Sequence, residues 1–170
     1  MATAALLHDL GNIVKFDFDK YPEFLEEEQA KVELWKGKQK IMCEKYGLDD
    51  HQATFKMLDE INNDPRVKEI ISMKGFGNLR KIVTSPDKGS KILQYADLRV
   101  LPNGVCTIEE RINDVIERYP KYTNLPNFDD LANACRELEQ QIQENIDVPT
   151  SEITSKMLPI DNEMYLKMEV

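Results

Sequence analysis

Three stretches hold the side chains with the most chemical capacity: "AALLHDLGN" at 4–12, "DDHQATFKML" at 49–58 and "ILQYADLRV" at 92–100. The chain has two histidines, so His8 and His51 carry all of its imidazole chemistry. His8 and Asp9 follow a short apolar turn. Consecutive side chains on a helix stand about 100° apart, and where the helix unwinds both can reach one cation. The alternative is a helix-terminal His followed by a turn Asp. Asp97 lies between Leu93 and Leu101 at helical spacing, bordered by Ala96 and Val100, which turns it toward the core or its edge. An ionised carboxylate there is costly unless it is paired or binds a metal. Its alternatives are to cap another helix or to pair with Arg99 or Lys91. His51 opens a helix on the stripe of Phe55 and Leu58, and ligand and surface roles stay open for it.

Helices must position these residues. The segment from Tyr21 to Gly47 places Pro22 in a first turn and repeats Leu25, Val32, Trp35, Met42 and Tyr46 at helical spacing, with Gly47 as its stop. Asp49 or Asp50 caps the next helix, whose stripe is Phe55, Leu58 and Ile61. Asp64 and Pro65 start another, with Val67, Ile70 and Ile71 inside. A short helix is expected in "GNLRKIV". A Ser-Pro start at 85–86 leads into the helix of Asp97, with Ile92, Leu93, Ala96 and Val100 on one face. "PNG" at 102–104 is a turn, and Thr107 with Glu110 spells a capping box before Ile108, Ile112, Val115 and Tyr119. The last strong helix spaces Phe128, Leu131, Cys135, Leu138 and Ile142 for burial. No alternating strand pattern, phosphate-binding glycine loop or internal repeat interrupts this. The expected fold is all-α, a single-domain helical bundle over 1–147 with an extension at 148–170 that is weakly helical or partly mobile.

At 170 residues, 41% hydrophobic and 31% charged, the chain has the balance of a globular domain with a real core. A net charge of −9 argues against a large nucleic-acid partner, though local cations or a metal still permit a small phosphorylated ligand. No apolar run approaches the roughly 20 residues of a membrane helix, and no basic leader opens the chain, so a cytoplasmic protein without membrane partners is expected. Cys43, Cys106 and Cys135 are odd in number and far apart, which fits buried thiols better than disulfides or a zinc ribbon.

Together, "AALLHDLGN", "DDHQATFKML" and "ILQYADLRV", continued by "ADLRVLPNGVCTIEERINDVIERYP", resemble the HD-domain superfamily of metal-dependent phosphohydrolases, over roughly residues 4 to 145. The resemblance implies a helical bundle binding one or two divalent cations. His8 and Asp9 would be adjacent ligands, Asp97 the distant one and His51 a further one, with Asp9 also in the catalytic role. Mn, Fe, Ni, Zn or Mg suits such a donor set, and the cation would activate water for attack at phosphorus. The substrate would be a phosphomonoester or nucleotide, met by Asn12, Lys15, Arg99 or Arg80.

The chain departs from the family pattern in three places. The family opens with a His on an earlier helix, whereas seven residues precede His8 here and none is His. A fragmentary chain, a ligand from another subunit, or loss of the site would each account for that. Asn12 stands where members often carry Lys, and "SMKGF" holds no imidazole where two-metal members do. A catalytically impaired binding or assembly module of the same fold is therefore the alternative function, and a helical interaction domain unrelated to the family is the third. Without a preceding helix, Ala4, Leu7 and the long second helix would expose apolar surface, from which a homo-oligomer is expected.

Overall fold

The computed structural model describes residues 1–61, 64–101 and 104–157. The fold is all-α, with one two-stranded hairpin among the described residues. Contacts divide the chain into two compact units, Met1–Ser72 and Met73–Val170.

In the first unit, α1 (Ala2–Leu7) leads directly into a 3-10 segment, Leu10–Lys15, that buries Gly11 and Val14. The helix expected from Pro22 to Tyr46 is split: Pro22–Lys31 forms 3-10 turns and α2 spans Val32–Tyr46. Before Val32 the sequence offers only Phe24 and Leu25 as large apolar residues, too little to anchor an α-helical face. Gly47 ends α2 at φ +95°, its amide donating to the Cys43 carbonyl (2.9 Å). Asp49 caps α3 (Asp50–Glu60) by accepting from the Gln52 amide at 2.8 Å. The buried face of α3 is Ala53, Thr54, Met57 and Leu58, so of the expected Phe55, Leu58 and Ile61 only Leu58 belongs to it. Phe55 is half-buried and Ile61 exposed, because the 3-10 segment packs where α3 carries its small residues. Val14, Tyr46, Ala53 and Met57 form a core, flanked by Ile13, Met42 and Cys43. Asp64 accepts from the Arg66 amide at the start of α4 (Pro65–Met73), which buries Val67, Ile70 and Ile71. Ala4 is fully buried and Leu7 half-buried, whereas Leu34 and Ile41 of α2 are exposed.

In the second unit a 3-10 turn at Phe76–Asn78 precedes α5 (Leu79–Thr84). α6 spans Lys88–Leu98 and starts later than Ser85–Pro86, because the Asp87 carboxylate takes the Gly89 and Ser90 amides. Its buried face is Ser90, Leu93, Gln94, Tyr95 and Leu98, whereas Ile92, Ala96 and Val100 are exposed. β1 (Val100–Leu101) pairs antiparallel with β2 (Gly104–Val105), placing Val100 opposite Val105. Pro102 and Asn103 of the expected turn lie outside the described residues. α7 (Ile108–Arg118) opens with the Thr107–Glu110 capping box in both directions, and α8 (Pro120–Thr123) is one turn. α9 (Phe128–Gln143) buries Leu131, Cys135 and Leu138 as spaced, against Leu79, Ile82 and Ile112. The three cysteines are free thiols, and burial pushes Cys135 up to about 12, far from a thiolate at neutral pH. Among the described residues no helix is long and apolar enough to cross a membrane.

Candidate functional site

His8 sits at the C-terminal end of α1, where the helix still has right-handed geometry. Its Nδ1 lies 2.6 Å from the Ala5 carbonyl oxygen and its Nε2 lies 3.3 Å from Oδ2 of Asp9. A carbonyl oxygen only accepts, so Nδ1 must carry the proton of that bond. The second nitrogen then faces a carboxylate. A histidine held through Nδ1 by a backbone carbonyl, with Nε2 presented outward, is the arrangement common among metal-ligating histidines.

The turn after His8–Asp9 is fixed from α3. The Asn12 amide donates to the Asp9 carbonyl (2.9 Å) and starts the 3-10 segment. The Gly11 amide donates to Oγ1 of Thr54 at 2.9 Å, and that hydroxyl donates to the Asp50 carbonyl at 2.8 Å. Gln39 of α2 donates its side-chain amide to the Ile13 and Phe16 carbonyls, 2.7 Å each, closing the far end of the segment. Lys15 pairs with Asp50, so its ammonium is already engaged by a carboxylate. Burial pushes the Asp50 carboxyl up, but the hydrogen bond and charge of Lys15, with a smaller contribution from His51, outweigh it and hold Asp50 below its ordinary range. His51 itself is exposed and does not join the buried stripe of α3. Asn12 is half-buried beside the His8–Asp9 turn.

Asp97 belongs to the second unit. Its expected partners are both engaged elsewhere: Lys91 donates to Oε1 of Gln141 at 2.8 Å, and Arg99 turns inward. Asp97 pairs instead with Lys74, Nζ to Oδ1 at 3.3 Å, and the Lys74 side chain is only 13% exposed. One turn earlier on α6, the buried Gln94 accepts the Gly75 amide at 2.7 Å. The Lys74–Gly75 step is thus docked on α6 at two points three residues apart, one helical face. Gly75 adopts φ +137°, a conformation glycine tolerates and other residues resist. From α7, Arg111 donates to the Asp97 and Leu98 carbonyls at 2.7 and 3.1 Å and also to that of Val100, capping the end of α6. Lys74 stands in the "SMKGF" segment, which holds no imidazole. Its one signal there was a lone cation next to a glycine.

Arg99, expected to meet phosphate, is a correction. It is 5% exposed, and its guanidinium donates to the Tyr95 hydroxyl and the Cys106, Thr150 and Ile153 carbonyls, with Glu139 at 3.4 Å. It has been drawn inside by backbone acceptors that need a fixed donor. Arg80 likewise pairs with Asp130 and Glu137 on α9, at 2.7 and 2.6 Å.

Comparison of the chain with protein-family models, with curated proteins and with solved structures finds no match in any of the three.

Proposed function

We propose that the chain is a metal-dependent phosphohydrolase acting on a phosphomonoester or nucleotide, in which His8 and Asp9 hold a divalent cation. The resemblance adds Asp97 as a further donor. The observation that carries this reading is the His8 ring, locked through Nδ1 on the Ala5 carbonyl with Nε2 turned to a carboxylate. An imidazole and carboxylate donor set fits Mn, Fe, Ni, Zn or Mg. When bound, such a cation polarises a phosphoryl oxygen and makes water acidic enough to supply a nucleophile near neutral pH. The chain's own contributions are positional. The Ala5 carbonyl sets the His8 tautomer, the Gly11–Thr54 bond fixes the turn that carries Asp9, and Asn12 offers an uncharged hydrogen-bonding group beside it. His51 and Arg99 have no part in this reading.

A second reading is favoured by a different observation. Lys74 already supplies Asp97 with a positive charge from a mostly buried position. A fixed ammonium there does what a cation does for a carboxylate, and it supports a catalytically impaired module that keeps the fold. The two readings separate in one experiment. The purified chain is incubated with Mn, Ni or Zn, desalted, and assayed for bound metal by mass spectrometry and for hydrolysis of a panel of phosphomonoesters and nucleotides. The first reading expects near-stoichiometric metal, lost in His8→Ala, together with activity. Absence of both from the native chain overturns it, and metal binding that emerges only in Lys74→Gln establishes the second.

A further inference from the structure

Asp97 is the penultimate residue of α6, in the turn where a helix frays because its last carbonyls lack amide partners. A side chain there shares the turn's motion unless something closes the end. Arg111 closes it from α7. The hairpin brings the two together: the pairing of Val100 with Val105, and the bond from the Cys106 amide to the Arg99 carbonyl at 2.8 Å, return the chain beside the end of α6. The capping box then starts α7, so Arg111 stands in a first turn that is itself fixed. All three guanidinium nitrogens are engaged. Nε donates to the Leu98 carbonyl at 3.1 Å, and Nη2 donates to the Asp97 carbonyl at 2.7 Å and to that of Val100. Nη1 donates to Oδ2 of Asp114 at 3.2 Å. Arg118, one turn further along α7, grips the same carboxylate at 2.5 and 2.6 Å.

Stability alone does not call for this arrangement. The Arg111 and Asp114 side chains are only 14% and 15% exposed, and a mostly buried ion pair adds little net stability over an apolar pair of similar size. Water or a lysine can serve the carbonyls at a helix end. What the planar fork adds is geometry, because one rigid group sets three carbonyls at once. One of the three belongs to Asp97 itself. We infer that Arg111, oriented by Asp114 and Arg118, is a positioning residue that aims the Asp97 carboxylate as a cation donor. The inference rests on the metal-binding reading proposed above, with Asp97 as the donor that the resemblance adds. Arg111 touches neither cation nor substrate in this role and acts through the α6 backbone. Groups that orient a ligand from behind typically set metal affinity by about 10- to 100-fold.

The test titrates the full chain with Mn, Ni and Zn separately by calorimetry and carries the tightest of them to the variants, each with a thermal melt. Asp97→Asn measures the loss that follows from removing the donor. Arg111→Met is expected to weaken metal binding at least about tenfold, and Arg111→Lys to recover little of it, since one ammonium cannot set three carbonyls. Arg118→Ala leaves Arg111 in place and loosens only Asp114. It is expected to show a smaller loss in the same direction with a near-native melt, and it decides alone if Arg111→Met fails to fold. Val115→Ala truncates the buried face of the same helix without removing a donor to α6. It is expected to lower the melt and keep native metal affinity. Native affinity in the arginine variants that fold, or an equal loss in Val115→Ala, overturns the inference and leaves the metal reading standing. So does metal binding that Asp97→Asn does not weaken. A native chain that binds none of the three metals overturns that reading, and the inference with it.

Discussion

At the scale of single residues, two glycines are required for opposite reasons. Gly75 has room for a side chain but the wrong φ for one. Gly11 has an ordinary φ but no room. A Cβ there would stand 2.1 Å from the Asp50 carbonyl oxygen and 2.7 Å from the Thr54 amide. These are backbone atoms of α3 and cannot swing aside. The 3-10 segment would have to lift, breaking the Gly11–Thr54 hydrogen bond and loosening the turn that holds Asp9. Gly11→Ala is therefore expected to cost about 3 kcal/mol, the upper end of overpacking penalties, read as a drop in the urea midpoint without change in slope. An unchanged midpoint would show that the segment has slack. The pairing of His8 with Asp9 is more local, since both its fixed points lie within four residues.

Elements show where physical reasoning from sequence succeeds and where it stops. Caps were legible because their signals are local: Asp49, Asp64, Gly47 and the Thr107–Glu110 box all act within three or four residues. Apolar faces were legible on α4, α7 and α9, where no polar residue competes for the interior. On α6 only Leu93 of the expected face is buried, because Ser90, Gln94 and Arg99 take the interior while Ile92 and Ala96 are exposed. A polar side chain enters a core only when partners await it, and partners are distant in sequence: Gly75 for Gln94, Thr150 and Ile153 for Arg99. The same blindness hid Lys74 as the companion of Asp97 and left Lys91 and Arg99 as the nearer candidates. Arg99 gives a sharp expectation at this scale. Arg99→Met removes a buried charge and leaves a tyrosine hydroxyl and three carbonyls without their donor, an expected loss of about 3–5 kcal/mol. Because two of those carbonyls belong to the segment at 150–153, amide hydrogen exchange there should accelerate beyond that of α7. Arg99→Lys should not restore protection, since one ammonium cannot reproduce the planar fork. Uniform acceleration across the unit would mean that the segment is held by something else.

For the whole molecule, charge sets how stability responds to pH. With 31 acids against 22 bases, the folded chain repels itself at neutral pH. Several carboxyls are nevertheless held below their ordinary range: Glu109 by the Arg136 guanidinium, Glu110 by the Thr107 amide and hydroxyl, Glu60 by Lys45 and Tyr46, and Asp50 by Lys15 against the pull of its own burial. A carboxyl whose folded pKa is depressed contributes stability above its unfolded pKa, about 4, and loses that contribution as pH falls through the lower folded value. Protonation of surface carboxylates relieves that repulsion as the pH falls toward the ordinary carboxyl range. These contributions are individually small because most of the pairs face solvent. The melting temperature is expected to stay level or rise slightly from pH 8 to about pH 5 and to fall steeply below about pH 4. Added salt should raise it at pH 7 and flatten the rise. Thermal melts followed by circular dichroism across that range check this. A decline beginning near pH 6 would contradict it, because every carboxyl named here is held below its ordinary range.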